Sequence, residues 1–208
     1  MRLRSSLPIL GALEDIPNLI TFAGALAAMA ACYCALQREF NAALVLALWA
    51  HVADSLDGLA ARRRPGRTAS VKQLGKHLDS HADLLSGGAF PLVFLITAGN
   101  GEPVAVLGGF LLCAAGVLRL SYFDVHGLSS GAFVGLPLPH NALVLCSVYW
   151  FSLAAPEDFR PILLGISAIL TAALHVLPIP FPKMNNTAIL ASVVLAIALS
   201  PILAGFGR

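Results

Sequence analysis

Charge is what this sequence has least of. Aspartate, glutamate, lysine and arginine make up 12% of its 208 residues, against about a quarter in a soluble domain. With 58% hydrophobic residues and a mean hydropathy of +0.82, the composition excludes an ordinary water-soluble domain. Cysteine is scarce too. Cys32, Cys34, Cys113 and Cys146 lie in apolar runs, and the first two point in different directions on a helix. They read as small packing residues, which excludes a disulfide framework or a cysteine metal site. Basic residues form only one short run, too little in so apolar a chain for nucleic-acid binding. No internal repeat or low-complexity tract is present.

What the sequence has instead is apolar length. Stretches able to cross a bilayer run over Pro17–Leu36, Asn41–Arg62, Leu74–Ala98 and Pro103–Phe123, and shorter ones over Asn141–Ala155, Pro161–Leu177 and Thr187–Phe206. The 18 glycines and 13 prolines are tolerated in such helices, where neighbours and water re-satisfy freed backbone groups. The fold expected is all-α, a polytopic transmembrane bundle of seven spans, or eight if a short N-terminal helix forms or a segment splits. Residues 1–208 read as one integral-membrane domain. Residues 1–16 read as a segment lying at the cytoplasmic surface, not a cleavable signal.

Two connections are long, Arg63–Gln73 and Asp124–His140, and long loops are where function concentrates. With the N-terminus in the cytoplasm, Arg2, Arg4, Arg62, Arg63, Arg64, Arg67, Lys72, Lys76, Arg119 and Lys183 fall inside, and only Arg38, Arg160 and Arg208 outside. The positive-inside bias selects that orientation. For Arg63, Arg64 and Arg67 the preferred reading is an orientation signal, with attraction of anionic head groups or donor phosphates as the rival.

Against this background four carboxylates stand out. Asp54 and Asp57 are three residues apart, Asp79 and Asp83 four apart, and each spacing puts both side chains on one helix face. The two helices run antiparallel, so the pairs can face each other near the cytoplasmic surface. Four uncompensated carboxylates at membrane depth would repel one another and lose solvation. Divalent cations such as Mg²⁺ or Mn²⁺ suit an oxygen-only cluster. Gly58, Ala60, Ala61 and Gly75 allow close backbone approach, and Arg62 adds a cation suited to phosphate. Together they describe a pyrophosphate site. The competing reading makes these acids helix caps or solvated surface charges.

The pattern Asp54-x-x-Asp57-Gly58-x-x-Ala61-Arg62, then Gly75-x-x-x-Asp79-x-x-x-Asp83, resembles the signature of the CDP-alcohol phosphatidyltransferase family, whose bundle has a six-helix core. Every fixed position is filled. "PNLIT" at Pro17–Thr21 resembles the family's entry to its first span, where Asn18 and Thr21 would lie near the nucleotide. One departure is the spacer. Twelve residues, "RRPGRTASVKQL", separate Arg62 from Gly75 where the family usually has eight, and Lys72 stands where a hydroxyl residue is common, leaving Ser70 or Thr68 to serve. The expectation is a longer cytoplasmic loop with both helices unaltered.

Within the family the closest resemblance is to bacterial and archaeal phosphatidylserine synthases, through "LDSHADLLSGGAFP", "RLSYFD" at Arg119–Asp124 and "GLPLPHNA" at Gly135–Ala142. Relative to their pattern an Arg has become Tyr122, an Asn has become Asp124, and two alanines have become His140 and Asn141. The resemblance implies transfer of a phosphatidyl group from CDP-diacylglycerol to a small hydroxylated acceptor, with L-serine the first choice, and release of CMP. It implies Mg²⁺ or Mn²⁺, two per site: Asp54, Asp57 and Asp79 on one ion, Asp79 and Asp83 reaching a second. Asp83 is the implied general base. Gly58, Ala61, Arg62, Ser70 and Gly75, with Asn18 and Thr21, are implied on the donor side. Membrane lipids and a second copy in a homodimer are the implied partners, in a prokaryotic cytoplasmic membrane.

A serine carboxylate needs a cation. Arg119, the only charged residue inside the fourth span, and Lys183 are the candidates, against snorkelling to lipid phosphates for Arg119 and a topological anchor for Lys183. His77 and His81 have zinc-like spacing but lie largely on another face than the acids, with no glutamate between them. His51 reads as a neighbour of Asp54; His126, His140 and His175 are uninformative, His140 being only a candidate acceptor contact. Alternative acceptors are inositol phosphate, glycerol phosphate and choline. A different class, a divalent-metal transporter, would place its acids near mid-membrane on broken helices.

Overall fold

The computed structural model describes residues 9–127, 133–181 and 186–205. A short 3₁₀ turn, Leu10–Glu14, leads into α1 (Ile16–Leu36), and α2 (Phe40–Arg63) returns antiparallel to it. A third long helix follows in pieces: α3 (Ala69–Leu84), a π turn at Leu85–Ala89, and α4 (Phe90–Ala98). Then come α5 (Pro103–His126), α6 (His140–Ser152), α7 (Arg160–Val176) and α8 (Asn186–Gly205). All seven expected apolar segments are therefore helical, and the fold is an all-α membrane bundle. Five described helices are long and apolar enough to cross a membrane. At 13 residues and about 1.5 Å per residue, α6 is too short to do so alone.

Local chemistry sets the helix starts. Pro17, Pro103 and Pro161 occupy the first turns of α1, α5 and α7, where the missing N–H costs nothing and the fixed φ is already helical. Thr68 caps α3, its hydroxyl accepting from the Val71 amide at 3.3 Å. That cap corrects the expectation of a long loop. Helix α3 begins at Ala69, so residues 69–73 are helical and the connection shrinks to 64–68. The longer spacer extends a helix by more than a turn instead of enlarging the loop.

In a membrane, helices associate by close packing rather than by hydrophobic burial. Accordingly α1 packs against α2 through small residues: Ala25, Ala28, Ala31 and Ala35 are buried on one, and Ala43, Ala47 and Ala50 on the other. A Cβ on Gly24 would come within 2.9 Å of the Ala53 Cβ. Larger side chains fill the centre, where Phe94 lies 5.5 Å from Phe40, 5.7 Å from Phe90 and 5.3 Å from Tyr149, ring centre to ring centre. The Trp49 indole donates to Ser200 at 3.1 Å and ties α8 to α2.

The π turn is explained by its neighbours. Pro91 has no N–H to give the Gly87 carbonyl four residues back. Asn141 Nδ2 supplies the donor at 2.7 Å. Leu138, fully buried, wedges between Gly87 and Gly116, at whose positions a Cβ would lie 2.8 and 3.1 Å from its side chain. Gly135 is held at φ 72° with a Cβ position only 2.3 Å from the His175 carbonyl, so glycine is required there. Its amide donates to Ile179 at 2.8 Å, beside a two-residue antiparallel pairing of Phe133–Val134 with Pro180–Phe181. These contacts press the segment before α6 into the end of the bundle where α2 finishes and α3 begins.

Candidate active site

At that end the two aspartate pairs meet. One carboxylate oxygen each from Asp54, Asp57 and Asp79 lie within 4.8 Å of one another. Asp57 is buried, while Asp54, Asp79 and Asp83 are half-buried. The carboxyls of Asp54 and Asp83 meet across the α2–α3 interface. All four line one small cleft together with Thr21, Gly24, Ala50, Ala82 and Ser86. A compact, acceptor-only oxygen set of this kind fits a hard divalent cation, and its mutual repulsion without one is severe.

The donor-side residues named from the sequence divide into two groups. The Thr21 hydroxyl bonds the Asp57 carboxylate and lies 3.0 Å from the Pro17 carbonyl, so it orients a cluster oxygen. Arg62 is exposed and folds back along α2, its Nη1 3.7 Å from the Cβ position of Gly58. Ala61 is half-buried, and Ser70 is exposed in the first turn of α3. Asn18 is instead occupied inside the protein: its Nδ2 donates to the Ala12 carbonyl at 3.2 Å, and its Oδ1 accepts from Arg67 at 3.0 Å. A Cβ on Gly75 would come within 2.5 Å of that Oδ1, so glycine is what lets α3 close on α1.

Two contacts flanking the site were not legible in the sequence. Arg67 pairs with Asp15 at 2.7 Å, each side chain 9% exposed, and the more exposed Arg64 approaches Asp15 at 3.7 Å. Arg67 is therefore a buried structural partner, a larger role than orientation signal. On the other flank Asp124 accepts from Ser80 at 3.0 Å and pairs with Lys76 at 3.7 Å, joining α3 to the end of α5 beside Asp79. No hydrophobic period marks either contact, because each joins a loop or helix end to a distant one.

Arg119 does not snorkel outward. It is buried, its guanidinium 4.5 Å from the centre of the Phe123 ring and 3.4 Å from the Val134 and Gly135 carbonyls, close enough to Asp83 for the charges to interact. Lys183, the other acceptor candidate, lies outside the described residues. His77 and His81 are exposed; the cluster of potential metal ligands among the described residues consists of aspartates alone. The four cysteines are free.

Comparison with known proteins agrees with this geometry. Residues 14–198 match the model of the family described as CDP-alcohol phosphatidyltransferase. The chain is similar to the archaetidylserine synthase of Methanothermobacter thermautotrophicus, with 28% identity over 172 residues covering 82% of this chain and 71% of that one. It is 27% identical to the CDP-diacylglycerol–serine O-phosphatidyltransferase of Bacillus subtilis over 175 residues, 83% of this chain and 93% of the relative. The protein of the same name from Methanocaldococcus jannaschii is 35% identical over 133 residues, 64% of this chain and 60% of that one.

Proposed function

The chain belongs to the CDP-alcohol phosphatidyltransferase family, and on that premise we propose that it moves a phosphatidyl group from CDP-diacylglycerol to the hydroxyl of L-serine, releasing CMP. The observation that carries this reading is the convergence of Asp54, Asp57, Asp79 and Asp83 in one cleft, with the buried Arg119 near enough for its charge to bear on Asp83. The relatives named above, two serine phosphatidyltransferases and an archaetidylserine synthase, support serine over inositol phosphate, glycerol phosphate or choline. Family membership leaves no ground for the transporter reading.

Divalent cations, Mg²⁺ or Mn²⁺ and two per site, would be held by Asp54, Asp57 and Asp79 and by Asp79 with Asp83; when bound they neutralise the diphosphate and the charge that develops on departing CMP. Arg62, beside Gly58 and Ala61, faces the donor's phosphates at the cytoplasmic end. Asn18, Thr21, Ser70 and Gly75 shape the nucleotide side, Thr21 by fixing the Asp57 oxygen. Asp83 takes the proton from the serine hydroxyl. The serine oxygen bonds to the β-phosphorus as the bond from that phosphorus to the CMP oxygen breaks. Arg119 holds the acceptor carboxylate, and Lys183 is the second candidate for that role. We place the site on the cytoplasmic side of a prokaryotic membrane, in a homodimer.

The test is direct. Purified protein is supplied with CDP-diacylglycerol, Mg²⁺ or Mn²⁺, and each of L-serine, inositol phosphate, glycerol phosphate and choline. Phosphatidylserine with stoichiometric CMP is the expected product. A different lipid replaces the acceptor, and CMP release with none of them overturns the activity.

A further inference from the structure

Beyond Asp83 lies a second polar group that the chemistry above does not use. His51 sits one turn before Asp54 on α2, His140 opens α6, and His175 lies near the end of α7. His51 and His175 are each 2% exposed. The His51 and His140 rings stand 6.1 Å apart, centre to centre, and His140 packs edge-on against Phe181 at 5.3 Å. His175 Nδ1 bonds the Leu136 carbonyl at 2.6 Å. Its Nε2 is buried without a partner, as are both ring nitrogens of His51 and Nδ1 of His140. The Pro139 carbonyl is close to His51 and the Pro137 carbonyl to His140, neither within hydrogen-bonding geometry of an unpartnered nitrogen. Arg119 links the group to the reaction centre, since its charge bears on His140, His175 and Asp83 alike.

Buried polar atoms are normally satisfied, so several unsatisfied imidazole nitrogens on α2, α6 and α7, two of the rings within reach of the Arg119 charge, ask for an occupant. A neutral imidazole offers one donor and one acceptor; a guanidinium offers a donor fork that matches a carboxylate. That combination suits a zwitterion, with donors for the carboxylate and an acceptor nitrogen for the ammonium. A phosphorylated alcohol carries more negative charge and calls for further cations. The ring nitrogens are also spread among three helices instead of converging as a ligand set would, and the metal-ligand cluster among the described residues contains no histidine.

We propose that His51, His140 and His175, with Arg119, wall the acceptor chamber and set its selectivity for a small amino-acid zwitterion whose hydroxyl turns toward Asp83. This rests on the serine-transfer reading. The segment Gly135–Pro139, wedged by Leu138 and turned by Gly135, is what carries His140 into place.

The experiment compares wild type with His140→Ala, His51→Gln and His175→Gln in steady-state transfer at saturating CDP-diacylglycerol and varied L-serine. The expected result is a serine KM raised about tenfold or more, with kcat falling far less and the donor KM unchanged, the pattern of lost acceptor binding. Ethanolamine, which lacks the carboxylate, and 3-hydroxypropanoate, which lacks the ammonium, serve as competitors. Wild type should bind both far more weakly than serine, and that discrimination should narrow in His140→Ala. An unchanged serine KM in all three variants, or donor and acceptor KM rising together, overturns the chamber and marks the histidines as structural. Failure of wild type to release CMP with any acceptor overturns the transfer reading itself, and that outcome is visible without a variant.

Discussion

Arg67 reaches across the start of α1 to meet the Asp15 carboxylate at 2.7 Å, 52 positions away along the chain. The same guanidinium group donates to Asn18 at 3.0 Å, over the close contact with Gly75. The ion pair thus clamps the α2–α3 connection onto the helix that carries Thr21, and through Thr21 onto Asp57. Arg67→Ala leaves a buried carboxylate with only the more distant Arg64, and the expected loss is about 3 kcal/mol, the lower end for breaking a buried pair. The double variant Asp15→Ala/Arg67→Ala should be less destabilised than the sum of the singles. Denaturant unfolding in mixed micelles measures the cycle, and strict additivity would remove the clamp.

Gly75→Ala brings a Cβ to 2.5 Å from Asn18 Oδ1 and 3.0 Å from Arg67 Nη2. Both atoms are held in hydrogen bonds, so neither yields freely, and overpacking of this kind costs about 1–3 kcal/mol. The variant should unfold earlier by that amount and show a raised KM for CDP-diacylglycerol. A variant as stable as wild type would mean that α1 and α3 do not approach this closely.

The acids differ in what their loss should do. Asp57→Asn should shift the concentration of Mg²⁺ or Mn²⁺ needed for half-maximal activity upward, with activity recovering at high metal. Asp83→Asn removes the base and should lower kcat by about 10²–10⁴-fold at every metal concentration. Chelation with EDTA should abolish wild-type CMP release, and added Mg²⁺ or Mn²⁺ should restore it. Full turnover in EDTA would end the metal reading.

Arg119→Ala should raise the requirement for the acceptor more than that for the donor, because its buried guanidinium is near enough to Asp83 for their charges to interact. Equal increases in both KM values would contradict an acceptor role.

Asn141→Ala removes the donor that the Gly87 carbonyl receives in place of a Pro91 amide. A buried carbonyl left unpaired costs about 1–3 kcal/mol. Asn141→Asp should cost more, because it sets an acceptor against an acceptor. Unfolding midpoints of the two variants, compared with wild type, check the order.

Much of the bundle was legible before any coordinates. Seven apolar runs became seven helical segments because run length and hydropathy are local properties. The boundary of α3 was not, since Thr68 and residues 69–73 read equally as loop or first turns until the cap forms. The four aspartates were legible because i, i+3 and i, i+4 spacing places side chains on one face whatever the helix packs against. The partners of Asp15 and Asp124 were not: each lies on another element, and nothing in the immediate neighbours announces it. Asn18 illustrates both sides. The family pattern assigned it to the nucleotide side, whereas its occupation by Ala12 and Arg67 is a matter of packing.

By itself, then, the sequence determined the membrane class, the helical segments and the shared face of each aspartate pair, because periodicity and hydropathy act within one element. Only the tertiary structure decided that Arg67 closes on Asp15, that Asn141 serves the Gly87 carbonyl, and that His51 and His140 face each other. Lipid-facing and helix-facing surfaces are almost equally apolar, so the pairing of helices is chosen by close fit at small residues such as Gly24, Gly75 and Gly87. Shape complementarity between distant segments leaves no periodic trace in the chain.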